Sequence, residues 1–327
     1  TVRDAGRYDG ILGAMIALSC VQLLHDRGER LPFSIEVVGF ADEEGLRFGT
    51  TFLGSSVYAG SFDRELLELQ DSGGANLWNA VRDFGGEPDA LEKGAHGREG
   101  VLGYCEVHIE QGPVLEEHDL PVGVVTSIQG QSRISANFSG KAGHAGTVPM
   151  SNRKDALCAA AEFVLEVETA CKVQPGAVGT VGEISVRPGA SNVISGEAEL
   201  SLDLRHGDDA VRESLRDNFE HRASEIARSR GCEHRWQVRQ ETPAITMDPD
   251  LTDLLSRAVE SGGLPAIRMP SGAGHDAAQM ASLAPVAMLF VRCEEGISHN
   301  PAESVTKEDV GVAIATIARF VQIMAEK

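Results

Sequence analysis

The sequence predicts an α/β domain interrupted by an α+β domain of ferredoxin-like type. Three observations carry this expectation. At 327 residues the chain exceeds the usual size of one domain. Residues 1–117 and 241–327 share one rhythm, in which apolar strands run into glycine-rich polar loops and then helices. Residues 118–240 differ, and their core reads β-α-β-β-α-β over about 120 residues, the order of a ferredoxin-like unit.

The elements follow in order. DGILGAMIALSCVQLLHDRG, Asp9 to Gly28, is apolar at helical spacing and ends on glycine, a helix-stop signal. SIEVVGFA (34–41) reads as a buried strand that stops at Asp42-Glu43-Glu44-Gly45, and YCEVHIE (104–110) as a second strand, followed by Gln-Gly-Pro. Carboxylates and glycine after a strand are what a functional loop at the carboxyl edge of a sheet looks like. Short helical stretches lie between these strands, with GGEPDALEKGAHGREG as an aperiodic loop.

In the middle region VGVVTSI, SRISANFSG, AVGTVGEISVR, EAELSLDLR and CEHRWQVRQ read as strands. The amphipathic run Asp155 to Lys172 and the charged run DDAVRESLRDNFEHRASEIARSRG read as helices. Beyond Pro249 come a helix, the glycine loop Ser271-Gly272-Ala273-Gly274-His275-Asp276, the strand PVAMLFV (285–291), the loop GISHNPAE and a last helix to Lys327.

Composition narrows the function. With 29 Lys+Arg against 49 Asp+Glu the formal net charge is −20, which disfavours nucleic acid and anionic membranes as partners. No apolar run reaches the roughly 20 residues that a membrane span needs. The six cysteines form no C-x-x-C pair and several lie in apolar runs, which points to a reducing cytoplasm without a disulfide framework. The opening TVRDAGRYDG is not a signal peptide. It starts on a loop-like segment directly before a helix, so the natural beginning is expected upstream.

Hydrolytic metal centres need carboxylates and neutral imidazoles converging from several loops. The candidates are Asp9 in GRYDG, Glu43 and Glu44 in ADEEG, His108 in EVHIEQG and His299 in ISHNPAE. Singly, each has an ordinary reading: an aspartate before a helix caps it, a Glu-Glu pair is a solvated turn, and a lone histidine packs or faces water. Their joint occurrence in glycine-flanked loops after apolar strands favours a site. His25, His96, His118, His206, His221 and His234 have the look of surface or helix histidines.

The segments DAGRYDGILG, FADEEGLRFGTTFLGS, VHIEQGPVLE, GKAGHAGTVPMSNRKDA, ASNVISGEAELSLDLR, SGAGHDA and GISHNPAE resemble, end to end and in order, the signatures of dinuclear-metal amidohydrolases related to zinc aminopeptidases. The branch is the hydantoinase/carbamoylase one, with allantoate amidohydrolase, N-carbamoyl-L-amino-acid hydrolase and β-ureidopropionase. The resemblance implies an aminopeptidase-like catalytic domain carrying an inserted lid that dimerises.

It also implies roles. Asp9 would bridge two divalent ions (Zn, Mn or Ni), Glu44 and His299 would complete one, and His108 the other. Glu43 would be the general base, and His144 in GHAG would act with it. Gln111, Asn192, Arg205, Gly274 and His275 match substrate contacts. Without the resemblance, Arg205 could simply pair with nearby Asp208 or Asp209, Asn192 could cap a turn, and Asp276 could cap a helix. One departure stands out: the family has a further His-x-Asp pair just before a segment like Thr1-Val2. The chain as given is then one imidazole short, and full occupancy by two ions is not expected in it.

The expected reaction is hydrolysis of a ureido C–N bond in a small carboxylate substrate, allantoate before N-carbamoyl amino acids, with release of ammonia and carbon dioxide. A dipeptidase or deacylase ranks below these, since Gln111 after HIE and the Asn192–Arg205 pair favour ureido acids. A non-catalytic relative of the fold is the rival of a different class.

Overall fold

The computed structural model of the protein describes residues 2–326. It divides into two compact units, one formed by the residues up to 128 and from 246, the other by Gln129–Ile245.

The first unit is built on a mixed sheet. Strands β1 (Tyr104–Ile109), β2 (Val122–Ile128), β8 (Arg268–Ser271) and β9 (Val286–Val291) belong to it. β1 and β9 run parallel, with Tyr104 opposite Val286 and Ile109 opposite Val291, while β2 pairs antiparallel to β9 and parallel to β8. All six residues of β9 are buried, as befits a strand covered on both faces.

Helix α1 (Ile11–Asp26) buries Leu12, Ile16, Cys20 and Leu24, one residue every four. They pack in one core with Ile109 of β1, Leu289 of β9, Leu255 of α5 (Pro249–Ser261) and Phe320 of α6 (Lys307–Ala325). Gly13 lets α1 approach β1, because a Cβ there would lie 2.0 Å from the Val107 carbonyl oxygen. Asp248 and Thr306 accept from the free N–H groups at the starts of α5 and α6. The last helix was expected to reach Lys327; that residue, like Thr1, lies outside the described residues.

Two expectations for this unit are corrected. Residues 34–40 form no strand, and none of residues 31–40 is buried. An extended segment becomes a strand only when a neighbour takes up its backbone N–H and C=O groups, and β1, its apolar counterpart, pairs only with β9 among the described residues. In contrast, Arg268–Ser271, just before the glycine loop, is a strand that the sequence reading left out.

The second unit contains β3 (Gly130–Ser139), α3 (Ala156–Val173), β4 (Val178–Thr180), β5 (Ile184–Arg187), β6 (Glu197–His206), α4 (Asp209–Ser229) and β7 (Glu233–Thr242). The sheet is antiparallel in the order β4-β6-β3-β7, with β5 also on β6. This is the ferredoxin-like arrangement expected. Alternate residues of β3 and β6 are buried and meet Phe163 of α3 and Phe219 of α4 in the core. Asp155 and Asp208 cap the two helices through their side chains.

AVGTVGEISVR was read as one strand and forms two. Thr180 pairs with Asp203 and Ile184 with Leu200, so this side carries one residue more than its partner. The excess is a bulge, stitched by Glu183 N–H donating to Ser201 Oγ and Ser201 N–H to the Glu183 carbonyl.

Candidate metal and catalytic site

Because β1 and β9 are parallel, the loops that follow them leave the sheet at one edge. His108 is the penultimate residue of β1, Gln111 lies just past its end, and His299 sits in the loop after β9. Asp9 precedes α1, which packs beside β1. Glu43 and Glu44 come from the loop before the helix α2 (Leu53–Ala59), where the carbonyls of Ala41, Asp42 and Glu43 accept from the N–H groups of Gly54, Leu53 and Phe52. These carbonyls therefore satisfy donors that the short helix cannot bond itself.

The structure brings four of the predicted residues, Asp9, Glu44, His108 and His299, into direct contact. Asp9 is buried and uses both carboxylate oxygens: His108 Nε2 lies 3.1 Å from Oδ1, and His299 Nε2 lies 3.3 Å from Oδ2. His299 Nε2 is also 3.0 Å from Glu44 Oε1. One donor atom each from Asp9, Glu44 and His299 lies within 4.8 Å of the others. Carboxylates and imidazoles are the donors that first-row divalent cations take from proteins. The residues present therefore fit a divalent ion.

His108 Nδ1–H donates to the Ile109 carbonyl at 2.9 Å, which leaves Nε2, facing Asp9, as the ligating nitrogen of the neutral ring. Burial pulls the pKa of His108 down, but the Asp9 hydrogen bond and the nearby Glu106 outweigh it, so protonation is favoured over an ordinary histidine. Burial likewise pushes Asp9 up, and His108 and His299 bring it below the usual carboxylate value. At Glu43 the His108 charge compensates too little. Burial, then Glu44, Asp276 and Glu106, push it up to about 8. A carboxyl with that proton affinity can both accept and return a proton near neutrality.

Around these ligands stands a layer of which the sequence names only His275, as a substrate contact, whereas Glu106 and Glu303 go unannounced and His275 itself is buried. Glu106 Oε2 accepts from Tyr104 Oη at 3.0 Å and Ala277 N–H at 2.8 Å, and burial raises its pKa to about 7. It lies two residues before His108 on the same strand, hence on the same face, and that period was the signal available. Glu303 is buried at 3% exposure and accepts from the N–H groups of Tyr8 and Asp9. His275 is 1% exposed: its ring meets His108 edge-on with 4.6 Å between centroids, and Ser271 Oγ is 2.7 Å from its Nε2. Gly274 is the exposed residue of that pair. Asp276 does not cap the following helix with its side chain; Glu106 takes that N–H instead.

In the second unit, His144 and Asn192 are neighbours. Residues Gly143–His144 pair with Val193–Ile194, and the Asn192 carbonyl accepts from Ala145 N–H. His144 is exposed, and its Nδ1 accepts from Gly146 N–H at 3.0 Å. The ring proton of the neutral form then sits on Nε2, making that atom a donor. Arg205 is held by Asp203 through two parallel bonds of 2.9 and 3.0 Å, so its carboxylate partner is two residues back on its own strand and neither Asp208 nor Asp209. The structure does not bring Arg205 to His144 and Asn192. The run from Glu197 to Arg205 spans eight steps of extended chain, about 26 Å, and they flank its opposite ends.

Comparison with known proteins agrees with this architecture. Allantoate deiminase of Arabidopsis thaliana is 40% identical, over 98% of this chain and 67% of that protein. The N-carbamoyl-L-amino acid amidohydrolase of Geobacillus stearothermophilus is 38% identical, over 100% of this chain and 80% of that protein. The crystal structure of an amidase of the hydantoinase/carbamoylase family from Burkholderia multivorans superposes with a TM-score of 0.89 at 33% identity, covering 97% of this chain and 77% of that one. The sequence signature of Peptidase family M20/M25/M40 matches residues 2–323, and the chain belongs to that family.

Proposed function

We propose that the protein hydrolyses the ureido C–N bond of a small carboxylate substrate, with allantoate first and N-carbamoyl amino acids second. The observation that carries this reading is the Asp9–Glu44–His108–His299 cluster, with the half-buried Glu43 carboxyl beside it, its proton affinity raised by burial and by Glu44. The names of the relatives, allantoate deiminase and N-carbamoyl-L-amino acid amidohydrolase, support the substrate class. In balance, R–NH–CO–NH2 and water give R–NH2 and carbamic acid, which falls apart to ammonia and carbon dioxide.

Asp9, Glu44, His108 and His299 would hold divalent ions, Zn, Mn or Ni, with Asp9 shared between two. Such ions, when bound, supply Lewis-acid polarisation of the scissile carbonyl and lower the pKa of water. Glu43 takes a proton from the attacking water and returns it to the leaving nitrogen, a task matched to its raised proton affinity. His144, with its proton on Nε2, donates to the oxygen on which negative charge develops. Arg205, pre-aimed by Asp203, grips the substrate carboxylate. Asn192, Gln111 and the exposed main chain at Gly274 beside His275 make the remaining substrate contacts.

The separation of Arg205 from His144 and Asn192 supports a homodimer in which Gln129–Ile245 acts as lid and dimerisation domain. One subunit would then supply the arginine and its partner the histidine–asparagine pair. The net charge of −20 and six free cysteines fit a cytoplasmic enzyme acting on neither nucleic acid nor membrane. Among the described residues no helix is long and apolar enough to cross a membrane.

The test is ammonia release from allantoate, N-carbamoyl-L-amino acids and N-carbamoyl-β-alanine by protein loaded with Zn, Mn or Ni. Allantoate is expected to react fastest. Faster turnover of a carbamoyl amino acid would move the assignment to that substrate, and cleavage of dipeptides alone would overturn the ureido reading.

A further inference from the structure

A buried acceptor-only group sets the direction of a hydrogen-bond chain that ends at a site residue. Glu303 Oε1 accepts from the N–H groups of Tyr8 at 2.8 Å and Asp9 at 3.0 Å. Its Oε2 lies 3.0 Å from Ser298 Oγ, and Ser298 Oγ lies 3.0 Å from Gln111 Nε2. A carboxylate can only accept. The Ser298 hydroxyl must therefore spend its single proton on Glu303, which leaves it only lone pairs for Gln111. Gln111 has to present its NH2 to Ser298, and its carbonyl oxygen is turned the other way.

We infer that Glu303 is a positioning residue for substrate recognition: through Ser298 it fixes the side-chain amide of Gln111 with Oε1 as the acceptor for a substrate N–H. This rests on the proposed role of Gln111 as a substrate contact. A ureido group is rich in N–H donors, and a fixed acceptor opposite it discriminates against an ester or ketone of the same shape. Gln111 is held in the left-handed region, φ 57°, a costly conformation for a non-glycine residue that persists where its surroundings enforce it. Gly6 completes the clamp, since a Cβ there would fall 2.1 Å from the Glu303 carboxyl carbon.

Glu303→Gln is a near-isosteric test. Its Oε1 would keep the two backbone bonds, and its Nε2 would donate to Ser298. The serine proton would then be redirected to Gln111, whose amide must rotate. The expected result is a shift of the Gln111 side-chain NH2 signals in NMR of the ligand-free protein, assigned by their loss in Gln111→Leu. With substrate, KM is expected to rise roughly three- to tenfold, the worth of one hydrogen bond, with kcat changed less than about twofold. Ser298→Ala, which leaves Glu303 on Tyr8 and Asp9, should give the same KM effect, and covers the case in which Glu303→Gln does not fold. Unmoved Gln111 signals in Glu303→Gln, or a loss confined to kcat in either variant, overturn the proposal. The NMR arm needs no turnover. A wild-type protein inert towards every ureido compound would therefore sink the functional reading while the amide orientation is still tested.

Discussion

His108 Nε2 stands 3.1 Å from Asp9 Oδ1, with its other ring nitrogen committed to the Ile109 carbonyl. A buried carboxylate thus faces the one ring nitrogen that becomes the ligating atom once its proton is displaced. The second oxygen of Asp9 faces His299 in the same manner. Asp9→Asn would keep the shape and remove the charge shared between the two imidazoles. It should lower the affinity for Zn, Mn or Ni by at least about tenfold and reduce the metal bound per chain. Calorimetric titration of the metal into apoprotein measures both, and unchanged stoichiometry would remove Asp9 from the bridging position.

Glu43 carries a pH-dependent cost in the metal-free fold. Its pKa moves from 4.5 to about 8 on folding. Between those values the native state holds a proton that the unfolded chain has released, so stability falls as pH rises through this window. Glu43→Gln lacks the penalty. After chelation its Tm should pull ahead of wild type above about pH 4.5 and keep a constant lead above pH 8, each kcal/mol appearing as about 1–2 °C in a chain of this length. In metal-loaded protein the same variant should bind metal and lose turnover. A Tm gap independent of pH, or substantial residual activity, would each count against the assigned base.

His108 supplies a second pH dependence, of opposite sense for the ion. Its pKa is raised by Asp9 and Glu106 despite burial. For the metal-free fold this stabilisation is complete below the ordinary histidine value and fades as pH rises through the raised one. A divalent ion must displace that proton. Apparent metal affinity should fall by up to about tenfold per pH unit once the medium is more acidic than the raised pKa. Titrations across pH 5–8 check the slope, and a flat profile would mean that His108 is not a ligand.

Much of this site was legible in the sequence because its ligands are local features of strand ends and loops. Asp9, Glu44, His108 and His299 each follow or precede an apolar element, and the structure brings them together. What was not legible depends on distant partners. The run 34–41 has the composition of a strand, yet its backbone groups find no neighbouring strand. Glu303 lies 294 residues from the Asp9 N–H it binds, and no local pattern announces such a bond. The sequence offers Asp208 and Asp209 as nearby partners for Arg205, whereas strand geometry puts Asp203 on its own face.

Gly13 offers a test of the packing that seats Asp9. Any side chain at this position meets the Val107 carbonyl at 2.0 Å, so Gly13→Ala must push α1 away from β1 despite the better helix propensity of alanine. The expected net cost is about 1–3 kcal/mol, with weakened metal binding, because Asp9 at the head of α1 moves relative to His108 near the end of β1. Thermal unfolding and metal titration of the one variant should fail together. A stabilised Gly13→Ala would show that the two elements are not in contact as described.

The lid carries the last prediction. Arg205 and the His144–Asn192 pair flank opposite ends of a strand about 26 Å long, whereas a ureido acid with a single carboxylate is far shorter. If both ends serve substrate, they must serve different molecules of it, and a dimer satisfies this by sending the histidine of each chain into its partner's site. His144→Ala and Glu43→Gln homodimers should then both be inactive. Mixed by refolding or co-expression, they should regain about a quarter of wild-type activity: random pairing makes half the dimers mixed, each with one intact site, the pattern expected of isologous symmetry. Activity that stays at the level of the parents in verified heterodimers would mean that each subunit assembles its site from its own residues.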